Sequence, residues 1–125
     1  MDILDGEYYF EEGSVVDLIH QGNKVMIGMR SVILEADEVE DDVKLSEDHT
    51  LSATLCLEGI RGICIDEEPF EGKLEKLYDL GTIVELELFE NGARMQIHWV
   101  NFPPKEEVNV VSLIEIECDK SYFVP

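Results

Sequence analysis

Residues 84–100, VELELFENGARMQIHWV, contain the clearest structural signal in this chain. Apolar and polar residues alternate on both sides of the dipeptide Asn91-Gly92. Such alternation is typical of a β-strand with one buried face, and Asn-Gly favours a two-residue turn because both turn residues must adopt positive φ. The stretch therefore predicts a β-hairpin. Three apolar pairs would share its buried face, with two polar pairs on the wet face: Leu88–Met95, Leu86–Ile97 and Val84–Trp99, then Glu87–Gln96 and Glu85–His98.

The same kind of pattern predicts further strands on both sides of this hairpin. Gly22-Asn23 indicates a second two-residue turn, since glycine suits its first position. The cross-strand pairs expected around it are Leu18–Ile27, Val16–Met29 and Ile19–Met26. Residues Leu51–Leu57 and Ile60–Ile65 predict two strands around Glu58-Gly59, and residues 108–118 predict a long final strand.

One helix is expected near residues 71–80. Phe70, Leu74, Leu77 and Tyr78 recur at helical spacing, and Gly81 follows as a C-terminal cap. About seven strands with hairpin connections and one short helix predict a mainly β fold, either an antiparallel β-sandwich or a curled meander. A length of 125 residues predicts a single domain over 1–125.

The charge balance is strongly acidic. Asp and Glu number 29 against 9 Lys and Arg, so the formal net charge is −20. Such a charge disfavours nucleic acids and anionic membranes, whose phosphates require basic contacts. It attracts basic proteins and accelerates their encounter, although acidity also serves solubility alone.

The cysteines do not indicate a metal site or a disulfide framework. Cys56, Cys64 and Cys118 lie in apolar stretches without a C-x-x-C pair, which is typical of free buried thiols. The N-terminal residues lack the features of a secretory signal, and no apolar run is long enough to span a membrane. We therefore expect a cytoplasmic protein with reduced cysteines.

The strongest concentration of charge is the acidic segment 35–42. Its carboxylates are Glu35, Asp37, Glu38, Glu40, Asp41 and Asp42. Because like charges repel in a packed element, the segment predicts a loop between strands. The glycine that an EF-hand requires at its turn is absent, which leaves a solvated loop, a looser cation site and a docking surface for a basic partner as alternatives.

No motif indicates catalysis. The chain has neither a G-x-S-x-G sequence nor a glycine-rich phosphate loop, and with 29 acids some carboxylates will always be neighbours. We expect no catalytic residue, no metal ligand and no cofactor. Phe102, in the stretch 99–104, follows the predicted hairpin and is the candidate apolar anchor of a protein interface.

Several segments resemble a family of small, uncharacterised bacterial proteins. They are Gly13–Leu18, Leu45-Ser46, Glu58–Ile60, Pro69–Gly72 and Trp99–Pro104. This resemblance implies no particular activity. Phe10 and Gly13-Ser14 before a hairpin are also similar to some immunity proteins of bacterial toxin systems. The sequence thus predicts a non-catalytic acidic binding module that neutralises a basic effector, and the alternative is a domain with a carboxylate-based cation or small-ligand site.

Overall fold

A computed structural model describes residues 5–39 and 43–125. Within them, the chain forms seven β-strands, one α-helix and one short 3-10 helix. In chain order the elements are α1 (Asp5–Phe10), β1 (Ser14–Gln21), β2 (Lys24–Arg30), the 3-10 helix (Ala36–Glu38), β3 (Ser52–Ile65), β4 (Glu68–Pro69), β5 (Leu80–Phe89), β6 (Gly92–Val100) and β7 (Asn109–Val124). The prediction of a mainly β, antiparallel fold of about seven strands is confirmed.

The strands form two three-stranded meanders that join into one closed sheet. One meander is β1-β2-β3 and the other is β5-β6-β7. β3 and β7 join them over ten residue pairs, whereas β1 and β5 join them over only two, Ser14–Thr82 and Val15–Gly81. The six long strands therefore enclose a cylinder. We call the short β1–β5 pairing its seam, and β4 adds to the edge of β3.

The interior of the cylinder is filled by apolar side chains. Because successive side chains of a strand point to opposite faces, one face of each of the six long strands contributes to this core. A closed sheet of so few strands has an interior that side chains can fill. The fully buried members include Val15, Val25, Ile27, Met29, Leu55, Leu57, Ile83, Leu86, Leu88, Met95 and Ile97.

Helix α1 covers one end of the cylinder. The Phe10 ring is fully buried, and its centroid lies 5.5 Å from that of Phe123. The backbone then continues the sheet, because Glu12 N donates to Ile83 O at 2.7 Å and Ile83 N donates to Gly13 O at 2.8 Å. The helix is thereby fixed directly beside β5.

Beyond the seam, the edge of β5 is covered by carboxylates of α1. Leu88 N donates to Glu7 Oε1 at 2.5 Å, and Leu86 N donates to Glu11 Oε1 at 3.3 Å. The two spacings match, since four residues of a helix rise about 6 Å and two residues of a strand about 6.6 Å. The two glutamates therefore satisfy amides that would otherwise form an exposed sheet edge.

The hairpin over residues 84–100 is confirmed, but its predicted register is wrong by two residues. The turn is Glu90-Asn91, and Gly92 is a buried strand residue. A Cβ at Gly92 would collide with the carbonyl oxygen of Ile116 on β7. The glycine therefore serves the close approach of β6 to β7 rather than the turn. The observed pairs are Leu88–Ala93, Glu87–Arg94, Leu86–Met95, Glu85–Gln96, Ile83–Ile97, Thr82–His98 and Gly81–Trp99.

Val84 is the one hairpin residue predicted on the wrong face. A bulge interrupts the β5–β6 register between Ile83 and Glu85. The extra residue turns Val84 outward, where its side chain is 50% exposed, and Ile83 takes the core position. The two-residue shift leaves the other apolar side chains inside, because side-chain direction repeats every two residues.

The first hairpin is confirmed, with Gly22 at a φ of 57° in its turn. Leu18 pairs with Ile27 and Ile19 pairs with Met26, as predicted. A bulge between Val15 and Asp17 makes Val15, rather than Val16, the partner of Met29. The pairs nearest the turn were therefore predictable, and those beyond the bulge were not.

Two predicted strand boundaries are wrong. The segments Leu51–Leu57 and Ile60–Ile65 form one continuous strand, β3, which passes Gly59 at a φ of 70° and shifts register between Ile60 and Gly62. The last strand continues past Cys118 to Val124, because its second half pairs with β3. Its middle residues, Ile114–Glu117, pair with β3 and β6 at once.

The predicted helix near residues 71–80 is absent. This segment is an extended loop between β4 and β5 that crosses the end of the cylinder opposite α1. Leu74 is buried there, and its backbone N donates to His20 Nδ1 at 3.0 Å instead of to a helical carbonyl. Leu77 points outward and is 70% exposed. Contacts to distant strands thus override the helical spacing.

Candidate partner-binding site

The connection between β2 and β3 carries a larger net negative charge than any other connection between strands. We call residues 31–50 the acidic loop. They include eight acids and one base: Glu35, Asp37, Glu38, Glu40, Asp41, Asp42, Glu47, Asp48 and Lys44. Of the predicted binding residues, Glu35, Asp37 and Glu38 are exposed, whereas residues 40–42 lie outside the described part of the chain.

The first part of the acidic loop is ordered by its own side chains. Residues Ala36–Glu38 form a 3-10 turn, in which Glu38 N donates to Glu35 O at 2.9 Å. Glu35 N in turn donates to Glu38 Oε1 at 2.9 Å. The carboxylates at the start of this turn lie near its free N–H groups, which favour negative charge. The predicted loop is therefore confirmed for its described residues, and its charges face solvent.

An exposed isoleucine stands directly beside these charges. Ser31 N donates to Leu51 O and Leu34 N donates to His49 O, both at 2.8 Å, so the backbone between them is held against the segment that precedes β3. Leu34 is buried beneath this segment. Ile33 points the other way and is 72% exposed. Ile33 lies between Val32 and Leu34, and such an apolar run resembles a buried strand. The sequence alone therefore did not identify Ile33 as a surface residue.

The second part of the acidic loop is held by Asp48. Its Oδ1 accepts hydrogen bonds from Ser46 Oγ and from Thr50 Oγ1, the latter at 2.8 Å. These hydroxyls, Ser46 before Thr50, lower the pKa of the Asp48 carboxyl to about 2. The loop consequently keeps this charge at any pH near neutrality.

Phe102 and the acidic loop leave the sheet in opposite directions. In the antiparallel pair β1–β2, Ser14 at the start of β1 lies opposite Arg30 at the end of β2. The acidic loop therefore begins at the end of the cylinder where β1 starts. β5 runs antiparallel to β1 and β6 antiparallel to β5, with Val100 opposite Leu80. β6 therefore runs in the same direction as β1, and Phe102, which follows β6, lies toward the end of the cylinder where β1 ends. The structure does not bring Phe102 and the acidic loop into one surface.

Phe102 belongs to a second exposed site that is organised by Asp79. Its ring is 52% exposed, and its backbone N donates to Asp79 Oδ2 at 2.7 Å. Lys105 Nζ lies 2.5 Å from Asp79 Oδ1, and Asp79 N donates to Asn101 Oδ1 at 3.1 Å. Lys105 first, and then the Phe102 amide, hold the pKa of Asp79 below its ordinary value.

Asp79 thus ties the loop before β5 to the loop after β6. Its partners lie 22 to 26 residues away in the chain, so no local pattern identified it. Residues 70–79 and 101–108 together hold five acids and three bases. Adding Asp66, Glu67 and Glu68 of the β3–β4 turn, which lies at the same end of the cylinder, gives eight acids against three bases, a smaller excess than in the acidic loop.

The structure also places the histidine and the acids that the sequence suggested as neighbours on the hairpin. The predicted Glu85–His98 pair is wrong, because His98 pairs with Thr82 and Val111 and its Nε2 contacts Asn109 Oδ1. No group of three His, Cys, Asp or Glu side chains in residues 5–39 and 43–125 could share a metal ion. The chemistry that the surface offers is negative charge beside an apolar side chain.

The three cysteines are free thiols, as predicted. Cys56 and Cys118 are buried, and Cys64 is half-buried. Burial raises the pKa of the Cys118 thiol. The two buried thiols therefore act as small apolar side chains in the core.

Comparisons with protein-family models, with curated proteins and with solved structures find no match to this chain. Among the described residues, no helix combines the length and the apolar character that crossing a membrane requires.

Proposed function

We propose that this chain is a non-catalytic, cytoplasmic binding module that captures a basic protein through the acidic loop. Ile33, exposed on a pinned backbone beside Glu35 and Glu38, is the observation that carries the proposal. The partner class that suits this surface is a cationic effector such as a nuclease toxin, in the manner of an immunity protein.

Charge determines which class of partner fits. A formal net charge of −20 speeds the encounter with a cationic protein and repels nucleic acid. The acidic loop holds eight acids against one base in its sequence, the largest net charge of any connection between strands. The basic side chains elsewhere are partly engaged, since Arg61 contacts Asp119 at 2.8 Å and Arg94 contacts Glu87 at 3.2 Å.

An apolar anchor supplies the short-range part of the interaction. Binding energy concentrates in a few well-placed side chains surrounded by polar ones, and burying an exposed isoleucine contributes about 1.5–3 kcal/mol. Because the Ser31 and Leu34 amides are already bonded, little ordering of the Ile33 backbone is needed on binding. The acidic rim then fixes orientation and selects basic partners.

The test uses an inactivated form of a basic toxin encoded beside the gene for this chain. The dissociation constant is measured at about 50 mM and about 150 mM NaCl, since surface electrostatics weaken as the Debye length shortens. Glu35→Lys/Glu38→Lys changes the formal charge by four units, and the matched control Glu106→Lys/Glu107→Lys makes the same change at the opposite end. We expect the first pair to weaken binding at least roughly tenfold and the control pair much less.

A second matched pair tests the anchor. Ile33→Ser is expected to weaken binding roughly tenfold, whereas Phe102→Ser at the other end leaves it close to wild type. The proposal fails if no complex forms at either salt concentration. It also fails if the two charge-reversal pairs have equal effects, because the net charge alone would then explain the binding.

A further inference from the structure

The loop opposite α1 closes the cylinder with few hydrogen bonds to the sheet. Residues 70–79 cover that end with Leu74, which is 4% exposed, and with Tyr78, whose ring lies 5.7 Å from that of Trp99. Between the loop and the sheet is a mainly apolar pocket of about 210 Å³, partly open to solvent, which is lined in part by Leu18, Ile65 and Trp99 and at its rim by Lys73 and Glu75. The loop therefore separates the apolar end of the core from water.

The hydrogen bonds that anchor this loop are at its two ends and at one point in its middle. Phe70 N donates to Ile63 O at 2.8 Å, and Asp79 N donates to Asn101 Oδ1 at 3.1 Å. Between them, the bond that connects the described backbone of the loop to the sheet is Leu74 N to His20 Nδ1, at 3.0 Å. The middle of the loop thus depends on the state of one imidazole.

The chemistry of this bond requires a neutral ring. A histidine nitrogen accepts a hydrogen bond only when it carries no proton, and in the imidazolium both nitrogens are donors. Protonation would place two N–H groups against each other and leave the amide of a buried residue without an acceptor. The bond therefore cannot persist once His20 becomes charged.

The charged groups around His20 are few and mixed in sign. Glu71 and Lys73 of the loop line the same surface cleft as His20. On the neighbouring strand, Val25 lies directly opposite and is apolar, and Lys24 lies opposite the next residue, Gln21, with its Nζ 3.8 Å from Glu58 Oε1 on β3. Glu71 can pair with a protonated ring that has turned outward, whereas Lys73 opposes the charge and Lys24 is compensated by Glu58.

We propose that His20 is a pH-operated latch. The neutral imidazole holds residues 70–79 over the end of the cylinder, and protonation releases them and exposes Trp99 with the apolar side chains around it. This inference does not depend on the proposed function, because the latch and the acidic loop lie at opposite ends of the cylinder.

The test is acrylamide quenching of Trp99, the single tryptophan of the chain. Between about pH 8 and about pH 5, the interval in which histidines change charge, we expect the quenching constant of the wild type to rise roughly threefold as the loop opens locally. His20→Asn places an amide oxygen near the Nδ1 position and does not titrate, so its quenching constant is expected to stay low throughout. Amide hydrogen exchange of Leu74 in the wild type, corrected for the intrinsic rate, should accelerate over the same interval.

His49→Asn is the matched control. His49 lies on the acidic loop at a φ of 62°, a conformation that asparagine tolerates, so this variant should keep the full pH response. A pH-independent quenching constant in the wild type would overturn the proposal, as would an unaltered pH response in His20→Asn. If His20→Asn does not fold, the exchange of the Leu74 amide in the wild type decides, and pH-independent protection there refutes the latch.

Discussion

The carboxylates that cover the edge of β5 make a sharp prediction about stability. Glu7 Oε1 accepts the amide of Leu88, a residue that is 2% exposed. Hydrogen bonds to charged groups contribute about 1.5–3 kcal/mol, and a buried amide left without its acceptor costs about 1–3 kcal/mol. We therefore expect Glu7→Ala to lower the free energy of unfolding by about 2 kcal/mol.

Two further variants separate the hydrogen bond from the charge. Glu7→Gln keeps an oxygen acceptor and loses only the charge, so it should cost less than about 1 kcal/mol. Glu11→Ala should cost less than Glu7→Ala, because the Glu11 bond is longer, at 3.3 Å against 2.5 Å. Glu90→Ala removes an exposed carboxylate from a turn and should stay within about 0.5 kcal/mol of the wild type.

The measurement is urea denaturation followed by the fluorescence of Trp99, which is buried in the folded protein. A change in midpoint at constant slope reports stability alone. Equal losses in Glu7→Ala and Glu7→Gln would show that the charge, and not the acceptor, matters. A Glu7→Ala variant as stable as the wild type would refute the idea that α1 replaces a missing strand.

Two other predictions concern a carboxylate and a glycine. The pKa of Asp48, about 2, lies below the ordinary 3.8, so its stabilising contribution is complete above pH 3.8 and is lost as the pH falls toward 2. Asp48→Asn should therefore show a smaller loss of the urea midpoint between those pH values than the wild type, and identical losses would contradict this. Gly92→Ala should destabilise the protein by about 1–3 kcal/mol, because its Cβ collides with the β7 backbone. Gly62→Ala, which meets nothing within 4 Å, should stay within about 0.5 kcal/mol in the same denaturation experiment, and equal costs would contradict the packing argument.

The parts of the fold that depend on local chemistry could be predicted from the sequence. The Gly22-Asn23 turn gave the right register because its geometry involves only the residues beside it. Gly92 was wrongly predicted to be a turn residue. It is a glycine because the β7 backbone approaches it too closely for a side chain, and the hairpin sequence alone does not show that contact. The bulge beside Val84 is another feature that packing, rather than the alternation, determines.

The candidate site was predictable only in part. The charges of Glu35, Asp37 and Glu38 marked an exposed loop, and the structure agrees. Ile33 was overlooked, since an apolar residue after a strand resembles more strand. Phe102 is exposed, but whether it shares a surface with the acidic loop depends on the closed topology, which rests on pairings between residues 49 to 70 positions apart.

β7 lies between β3 and β6 and is the strand through which the two meanders share a long interface. During synthesis, the β1-β2-β3 meander emerges from the ribosome well before its partner strand exists. Until β7 has been translated, one edge of β3 is unpaired and the apolar face of this meander is uncovered. Closure of the core therefore waits for residues 109–124, and a chain that lacks them cannot form the long interface between the two meanders.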